Sequence, residues 1–397
     1  MKFLHLADLH LDSPLQTQAT RNPAMGAHLR VASREVLRRA VDAAIERGVD
    51  AVLLAGDTFD AGVADIASRA ALAAEIARLG RAGIPAFLIQ GNHDALLDLD
   101  RFGPVSDSLT ILTAEAPTAH VGNAAIHGIG LSGGRVPESL LPDYPEPVSG
   151  RINVGMMHSS LDGTVGHDPY APCALADLMT HGYDYWALGH IHKRSEHRGE
   201  RSLVVMPGIP QGRSIREVDG GSATLVTIDL DGVRAEPIPL ASLVFDRLTI
   251  PLAGARSQAE RDGLLRHALE AAIRPGIAVA LRVEATGTAA DLGDPVMLEE
   301  QARLAAEDLP DLYLDRVTLR LTEAPDTRQA PDALVRYMRA DAGSPGFVDE
   351  AAADLEALRR ALPAEARDSL DAEALETLIA EGIDRMALRL GGEGAAE

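Results

Sequence analysis

Five short apolar runs in the first half of the chain are each followed at once by residues that can bind a metal ion or transfer a proton. The runs are Phe3–Ala7, Ala51–Ala55, Ala86–Ile89, Ile152–Met157 and Tyr185–Leu188. Helical periodicity over Ser33–Arg47 and Asp65–Ala82 lies between them, which is typical of a layered α/β sheet. The polar residues that follow the runs are Asp8 and His10, then Asp57, then Asn92, His93 and Asp94, then His158, and finally His190 and His192. Because ligands bind beyond the carboxyl ends of parallel strands, we expect these side chains to meet at one edge.

The chemistry of this set favours a pair of divalent cations. Carboxylates, an amide carbonyl and imidazoles together suit Mn²⁺, Fe²⁺, Zn²⁺ or Co²⁺, and no motif contains the cysteines of a structural zinc site. One carboxylate must bridge two ions about 4 Å apart, and Asp57 is the candidate. His190 and His192 lie two positions apart at a strand end and share a face, which predicts one imidazole for each ion. Each motif alone is weak evidence, and a lone histidine such as His158 is more often structural.

Length and composition indicate the number of domains and the cellular compartment. A length of 397 residues suffices for two or three domains. Asp8 and Asp12 interrupt what would be a signal-peptide core, no run of about 18 apolar residues occurs, and the single Cys173 cannot form an internal disulfide. We therefore expect a cytoplasmic protein without membrane contact.

The net charge of −22 argues against capture of nucleic acid by the whole surface. Any contact with DNA would then depend on local basic clusters. The alternative interpretation of such a cluster is a solvated loop. The clearest one consists of Lys193, Arg194, Arg198 and Arg201.

The periodicity divides the chain into four segments. Residues 1–240 carry the motifs, and residues 241–325 contain three strand-like runs separated by helical stretches at 257–273 and 296–307. Residues 326–390 are helical and acidic, and we expect the tail 391–397 to be disordered.

The ordered set D-x-H, G-D, G-N-H-D, H and G-H-x-H resembles the calcineurin-like metallophosphoesterase superfamily. The stretches MKFLHLADLHLDSPL and YDYWALGHIHKR further resemble the DNA double-strand-break repair nucleases of the SbcD type, and DSPL indicates the YhaO-like bacterial branch. The resemblance is strong over residues 1–215, only architectural for the cap at about 240–325, and weak for the C-terminal helices. It implies a layered α/β sandwich, a small α/β cap domain and C-terminal helices.

The resemblance also implies a role for each motif residue. His93 would protonate the leaving 3′ oxygen or stabilise charge as the ester breaks. Asp94 would orient His93, with a helix N-cap as its alternative role. Asp60 and Asp12 are expected to be solvent-facing caps, with an orienting role as the alternative. Asp8, His10, Asp57 and His192 would hold the first metal, and Asp57, Asn92, His158 and His190 the second.

The function that the resemblance implies is that of a metal-dependent DNA nuclease in repair, an exonuclease with a further single-strand endonuclease activity, using two ions of Mn²⁺ by preference. Its partners would be DNA ends or single-stranded regions, an SbcC-type coiled-coil ATPase and a second copy of the chain. Residues 330–390 would offer the ATPase an apolar face, or else pair with each other. The alternatives are a small-molecule phosphodiesterase or phosphatase of the same fold, and a nuclease-inactive scaffold that binds DNA ends.

Overall fold

The computed structural model describes residues 1–13, 22–60, 66–97, 105–131, 133, 136–161, 170–322, 329–361 and 372–392. Backbone packing divides the chain into two units. The first comprises Met1–Pro14 and Ala27–Val244, and the second comprises Leu15–Gly26 and Phe245–Glu397. Within the described ranges, no helix combines the length and the apolar character that crossing a membrane requires.

The first sheet of the first unit has six strands. Across the sheet they are β12 (Gly232–Pro239), β11 (Ser222–Asp229), β1 (Lys2–Leu6), β2 (Ala51–Ala55), β3 (Ala86–Ile89) and β4 (Leu109–Ile111). Strands β1 to β4 are parallel, whereas β11 is antiparallel to both β1 and β12. The helices α1 (Pro23–Arg47) and α2 (Ile66–Arg81) follow β1 and β2 in the chain, as the periodicity predicts.

The second sheet also has six strands. In order they are β5 (Thr118–Val121), β6 (Ala124–Gly128), β7 (Ile152–His158), β8 (Tyr185–Gly189), β10 (Leu203–Met206) and β9 (Ser195–Arg198). Strands β6, β7, β8 and β10 are parallel, and the edge strands β5 and β9 are antiparallel to their neighbours. A short helix, α3 (Leu175–Thr180), precedes β8.

The two sheets pack face to face. Successive residues of a strand point to opposite faces, and in most of these strands both sets of residues are apolar, so each sheet can bury both of its faces. On the inner face, Phe3 and Leu53 of the first sheet share a buried cluster with Val154 and Tyr185 of the second. On the outer face of the first sheet, Leu4 and its neighbours pack with α1 and α2. This arrangement is the layered α/β sandwich that the sequence predicts.

The five strands that carry the motifs are divided between the sheets, with β1, β2 and β3 in one and β7 and β8 in the other. Their carboxyl ends meet nevertheless. The His158 imidazole at the end of β7 donates from Nδ1 to the Ala55 carbonyl at the end of β2, at 3.0 Å. The His190 N–H after β8 lies 3.2 Å from the Asp8 carboxylate after β1. The His93 N–H after β3 donates to Asp57 Oδ1 after β2 at 2.8 Å, so one edge of the sandwich collects all five motifs.

The second unit contains a three-stranded sheet of β13 (Leu243–Pro251, which begins in the first unit), β14 (Ala278–Gly287) and β15 (Leu312–Leu321). The helices α4 (Gln258–Ala271), α5 (Ala289–Leu292) and α6 (Pro295–Glu307) lie between these strands in the chain. The Ser257 side chain accepts a hydrogen bond from the Glu260 N–H at the start of α4, and Asp294 caps α6. The three strands and the helices α4 and α6 lie where the sequence pattern predicts them, whereas the pattern does not predict the short helix α5.

Three further helices complete the second unit: α7 (Gln329–Ala342), α8 (Pro345–Ala361) and α9 (Ala372–Gly392). Buried Asp384 of α9 accepts hydrogen bonds from the Leu321 N–H at 3.1 Å and from Arg339 of α7 at 2.9 Å. Tyr337 and Leu378, two residues of the predicted apolar face, are 70% and 40% exposed. The side chains of Leu334, Leu358 and Leu375, and the tail from residue 393, lie outside the described residues.

Candidate metal centre

The first two polar residues of the site follow β1 in a strained turn. Asp8 and His10 have φ values of 55° and 43°, a region that costs a residue with a Cβ of order 1–3 kcal/mol. Two backbone hydrogen bonds hold this turn against the loop after β2, from Asp8 N–H to the Gly56 carbonyl and from His10 N–H to the Asp57 carbonyl, each 3.0 Å long. The side chains of both residues are buried.

Glycines in three of the motifs allow these loops to approach one another. A Cβ on Gly91 would lie 2.2 Å from Asp57 Oδ1, and one on Gly189 would lie 2.8 Å from His158 Nδ1. Gly56 has a φ of 92°, and a Cβ there would lie 2.3 Å from His158 Nδ1. The glycine of each motif is therefore required by close packing around Asp57 and His158.

The end of β7 presents one imidazole nitrogen to the centre. Since His158 donates from Nδ1 to the Ala55 carbonyl, its Nε2 is the nitrogen available to a metal. This Nε2 lies 3.3 Å from Asp57 Oδ2 and 3.0 Å from Asn92 Oδ1. The same Asn92 oxygen lies 3.1 Å from His190 Nδ1. The four residues assigned to the second metal are thus neighbours.

The loop after β8 presents a second imidazole nitrogen in the same way. His192 Nδ1 lies 2.6 Å from Glu217 Oε1, which is the geometry of a carboxylate that orients a metal-binding histidine. Its Nε2 then faces His10 Nε2 at 3.3 Å and Asp8 Oδ1 at 4.0 Å. Burial alone would raise the pKa of Glu217, but His192 and Arg213 together lower it to about 2.

The spacing of these atoms fits the ligands of common ions. At a metal–ligand distance of about 2.1 Å, adjacent ligands of a tetrahedral or octahedral ion lie about 3.0–3.4 Å apart. The four closest pairs across the two ligand sets lie between 3.0 and 3.3 Å. The imidazole nitrogens of His10 and His192 would repel each other at 3.3 Å unless a proton or a cation lay close to both. The donor set therefore fits a pair of divalent ions.

The electrostatics of the site also call for a cation. Asp8 and Asp57 are 0% and 2% exposed, and among the described residues no Lys or Arg side chain pairs with either. Burial raises the pKa of Asp8. Burial would also raise that of Asp57, but His158 and the other nearby imidazoles hold it well below its usual range. Burial opposes protonation of His158, yet Asp57 and Asp8 raise its pKa to about 9. A positive charge is thus favoured between these carboxylates.

His93 lies beside the ligands and keeps its imidazole accessible. Its backbone N–H donates to Asp57 Oδ1 at 2.8 Å, and its side chain is 39% exposed. The imidazole Nδ1 lies 2.6 Å from Asp60 Oδ1, and this hydrogen bond raises the pKa of His93. Nε2 is then the nitrogen that can exchange a proton with a substrate.

The role expected for Asp94 requires correction. Its carboxylate is fully buried and accepts hydrogen bonds from the backbone N–H groups of Gly91 at 2.6 Å and Thr58 at 2.8 Å. Burial raises its pKa to about 7. Asp94 therefore ties the loops after β2 and β3 together, and the carboxylate that contacts the His93 imidazole is Asp60.

Three residues around the ligands are not among the metal ligands or catalytic residues that the sequence predicts. Asp60 follows Asp57 by three positions, and the sequence favours a solvent-facing cap there, but its side chain is only 12% exposed. Glu217 and Arg213 belong to no recognised motif. Arg213 lies 3.5 Å from Asp60 Oδ2 and 3.8 Å from Glu217 Oε1. Of these three residues, only Asp60 could have been found from the sequence, because it follows Asp57 by three positions in the stretch G-D-T-F-D.

The predicted basic cluster is partly neutralised. Glu196 lies 3.5 Å from the Arg194 guanidinium and 3.7 Å from that of Arg198. Lys193 and Arg201 are exposed. Two of the four predicted cations therefore remain as exposed charges for an anionic partner.

Comparison with known proteins agrees with this geometry. Residues 1–194 match the family described as calcineurin-like phosphoesterase. This part of the chain resembles that family, and it carries all five motifs. Members hold a dimetal centre, and the clusters Asp8–His10–His192 and Asp8–Asp57–His158, whose ligand atoms lie within 4.8 Å of one another, fit one.

Similar proteins include metallophosphoesterases and repair proteins. The chain is 29% identical over 297 residues to the uncharacterized metallophosphoesterase YhaO of Bacillus subtilis (strain 168), a match that spans 73% of this chain and 72% of that protein. It is 25% identical over 247 residues to the DNA double-strand break repair protein Mre11 of Sulfurisphaera tokodaii, across 58% of this chain and 60% of that one. The Mre11 match thus spans less than two thirds of that relative's length.

Among solved structures, a dimetal phosphatase from Danio rerio is 13% identical and aligns with a TM-score of 0.34, over 61% of this chain and 98% of its own. The protein TT1561 of Thermus thermophilus is 15% identical, with a TM-score of 0.35, over 59% of this chain and 98% of its own.

Proposed function

We propose that this chain is a calcineurin-like phosphoesterase that acts as a metal-dependent nuclease and hydrolyses phosphodiester bonds of DNA. The observation that carries the proposal is the meeting of seven side chains of metal-ligand type at one edge of the sandwich, with the accessible His93 imidazole beside them. Such a site can act on a phosphate ester at neutral pH.

The ligands divide into two sets that share Asp57. Bound there, a pair of divalent ions, Mn²⁺ by preference, would polarise the phosphate and lower the pKa of a water molecule. The first ion would be held by Asp8, His10, Asp57 and His192, and the second by Asp57, Asn92, His158 and His190.

His93 supplies the proton for the leaving oxygen. Asp60 holds its Nδ1 at 2.6 Å and favours the protonated imidazole, which can then donate from Nε2. The backbone hydrogen bond from His93 to Asp57 keeps the imidazole at a fixed place next to the ligands.

Support for DNA as the substrate comes from the similarity to Mre11 and from the first and last motifs of the chain. On the same grounds we propose DNA repair in the cytoplasm as the setting, with an SbcC-type ATPase and a second copy of the chain as partners. The exposed Tyr337 and Leu378 on α7 and α9 support a docking surface on these helices.

The test compares substrates under identical conditions. The protein is incubated with Mn²⁺ and end-labelled linear DNA, both duplex and single-stranded, and separately with cyclic nucleotides and p-nitrophenyl phosphate. We expect degradation of DNA that EDTA abolishes. Hydrolysis of the small esters alone would identify a small-molecule phosphoesterase, and DNA binding without any hydrolysis would identify a scaffold.

Two variants separate catalysis from folding. His93→Ala should abolish cleavage, a loss of about 10²-fold or more, and leave Mn²⁺ binding intact. His120→Ala removes an exposed histidine of β5 and should behave as the unmodified chain. Equal activity of the His93→Ala protein would contradict the proton-donor role.

A further inference from the structure

Arg213 occupies a distinctive place in the first unit. Among the described residues, it is the one Lys or Arg side chain that pairs with carboxylates contacting the site histidines. It lies 3.5 Å from Asp60, the partner of His93, and 3.8 Å from Glu217, the partner of His192. A single guanidinium thus lies next to both histidine–carboxylate pairs.

The backbone around Arg213 is fixed independently of its side chain. The Arg213 N–H donates to Glu217 Oε2 at 2.5 Å. Two residues earlier, buried Gln211 donates to the Leu243 carbonyl at 2.7 Å and accepts from the Ser242 N–H at 3.1 Å. The guanidinium therefore extends from a rigid loop, and 23% of the side chain is exposed to solvent.

The two contacts of the Arg213 guanidinium leave it able to bind more. Charge-assisted hydrogen bonds between nitrogen and oxygen are typically about 2.7–2.9 Å long, and both contacts are longer than this. An arginine has five N–H donors in a planar fork that matches the oxygens of a phosphate. The geometry therefore leaves donors for an incoming anion.

The charge of the site favours the same conclusion. Two divalent ions would balance the four carboxylates that contact the histidines, so the charge of Arg213 would remain without a counterpart. A phosphodiester group carries one negative charge, which would balance this positive excess. The four carboxylates are Asp8, Asp57, Asp60 and Glu217.

We propose that Arg213 binds a non-bridging oxygen of the substrate phosphate and so positions the ester next to His93. The proposal deepens the function proposed above and rests on it. The opposing interpretation is that Arg213 serves only to hold Asp60 and Glu217 in place.

The test measures anion binding and metal binding separately. Arg213→Ala, Arg213→Lys and the control Arg216→Ala, at an exposed position of the same loop, are titrated calorimetrically with Mn²⁺ and then, as Mn²⁺-loaded proteins, with inorganic phosphate. We expect Arg213→Ala to weaken phosphate binding about tenfold or more with Mn²⁺ affinity within about twofold of the unmodified chain. Arg213→Lys should recover part of the loss, since it keeps the charge without the planar fork. Arg216→Ala should match the unmodified chain.

Three outcomes would overturn the inference: unchanged phosphate binding in a folded Arg213→Ala protein, an equal loss of Mn²⁺ affinity, or no phosphate binding by the unmodified Mn²⁺-loaded chain. Thermal melting shows whether each variant folds, and if Arg213→Ala does not, the comparison of Arg213→Lys with the unmodified chain decides. The phosphate measurement does not need DNA cleavage. If phosphate binding depends on Arg213 but DNA is not degraded, the nuclease proposal fails and the inference stands.

Discussion

At the scale of single residues, backbone strain and buried charge coincide in this protein. Asp8, His10, Asp57 and His190 have φ values of 55°, 43°, 50° and 103°, each in the region that favours glycine. All four are proposed metal ligands. A residue with a Cβ keeps such a conformation only where its surroundings hold it, and here the hydrogen bonds between loops do so. Apolar packing elsewhere in the sandwich offsets the free-energy cost of this backbone strain.

The sequence identifies these ligands more readily than the residues that orient them. Each ligand follows an apolar run directly, so a local pattern marks it. Glu217 lies 25 positions after His192, and Arg213 contacts Asp60 from 153 positions away. Contacts of this kind depend on how distant loops pack, which no local pattern records. For the same reason the prediction of Asp94, adjacent to His93, as its partner is wrong.

The hydrogen bond between Asp60 and His93 leads to a prediction. Asp60→Asn removes the charge that stabilises a protonated His93, so at saturating Mn²⁺ kcat should fall by about 10²-fold. Because Asp60 raises the pKa of His93, the decline of kcat at alkaline pH should move to lower pH in the variant. Kinetics from mildly acidic to alkaline pH measure both effects, with exposed Asp107→Asn as the control. An unchanged pH profile would contradict the pairing.

The raised pKa of His158 predicts how metal affinity depends on pH. Without metal, Asp57 and Asp8 outweigh burial and raise this pKa to about 9, so His158 is protonated at neutral pH. A protonated imidazole cannot ligate, and metal binding must release its proton. Mn²⁺ affinity should therefore fall by about tenfold for each unit that the pH drops below about 9. Titration calorimetry in two buffers of different ionisation enthalpy counts the released proton, and a count of zero would refute this account.

At the scale of elements, apolar runs predict strands well where the strands are buried. The predicted runs 51–55 and 86–89 coincide with β2 and β3. The short strands β4 and β5 are only partly buried and show no such run. The division of the five motif strands between two sheets is also beyond prediction from the pattern, because periodicity records which face of a strand is buried and not which strand lies beside it.

The glycines that bring these strand ends together offer a test at this scale. In Gly91→Ala the new Cβ would lie 2.2 Å from Asp57 Oδ1 and 2.6 Å from its backbone nitrogen. We expect the free energy of unfolding to fall by about 1–3 kcal/mol and Mn²⁺ binding to weaken. In Gly263→Ala of α4 nothing lies within 4 Å of the new Cβ, and the free energy of unfolding should rise by about 0.5–1 kcal/mol. Urea denaturation measures the free energy of unfolding of each variant. If Gly91→Ala were as stable as Gly263→Ala, the loops around Gly91 would have room for the added methyl group.

At the scale of the whole molecule, the net charge of −22 opposes the approach of DNA. Glu196 also lies against Arg194 and Arg198 of the predicted basic cluster. Positive charge at the site then comes from Arg213 and from bound ions. Affinity for DNA should therefore depend on the metals themselves, and less on a broad basic surface.

This dependence can be measured by fluorescence anisotropy with labelled single-stranded DNA and the His93→Ala protein, which should bind Mn²⁺ without cleaving the DNA. Removal of Mn²⁺ by EDTA should weaken binding at least about tenfold, because the four carboxylates then lose their counter-charges and repel phosphate. Asp57→Ala, which lacks the carboxylate shared by both ligand sets, should show the same loss even with Mn²⁺ present. With metal bound, affinity should fall with rising salt, because phosphate contacts release counterions from the DNA. If the chain binds DNA equally well in EDTA, the binding surface lies away from the five motifs, and the charge argument for the metal centre fails.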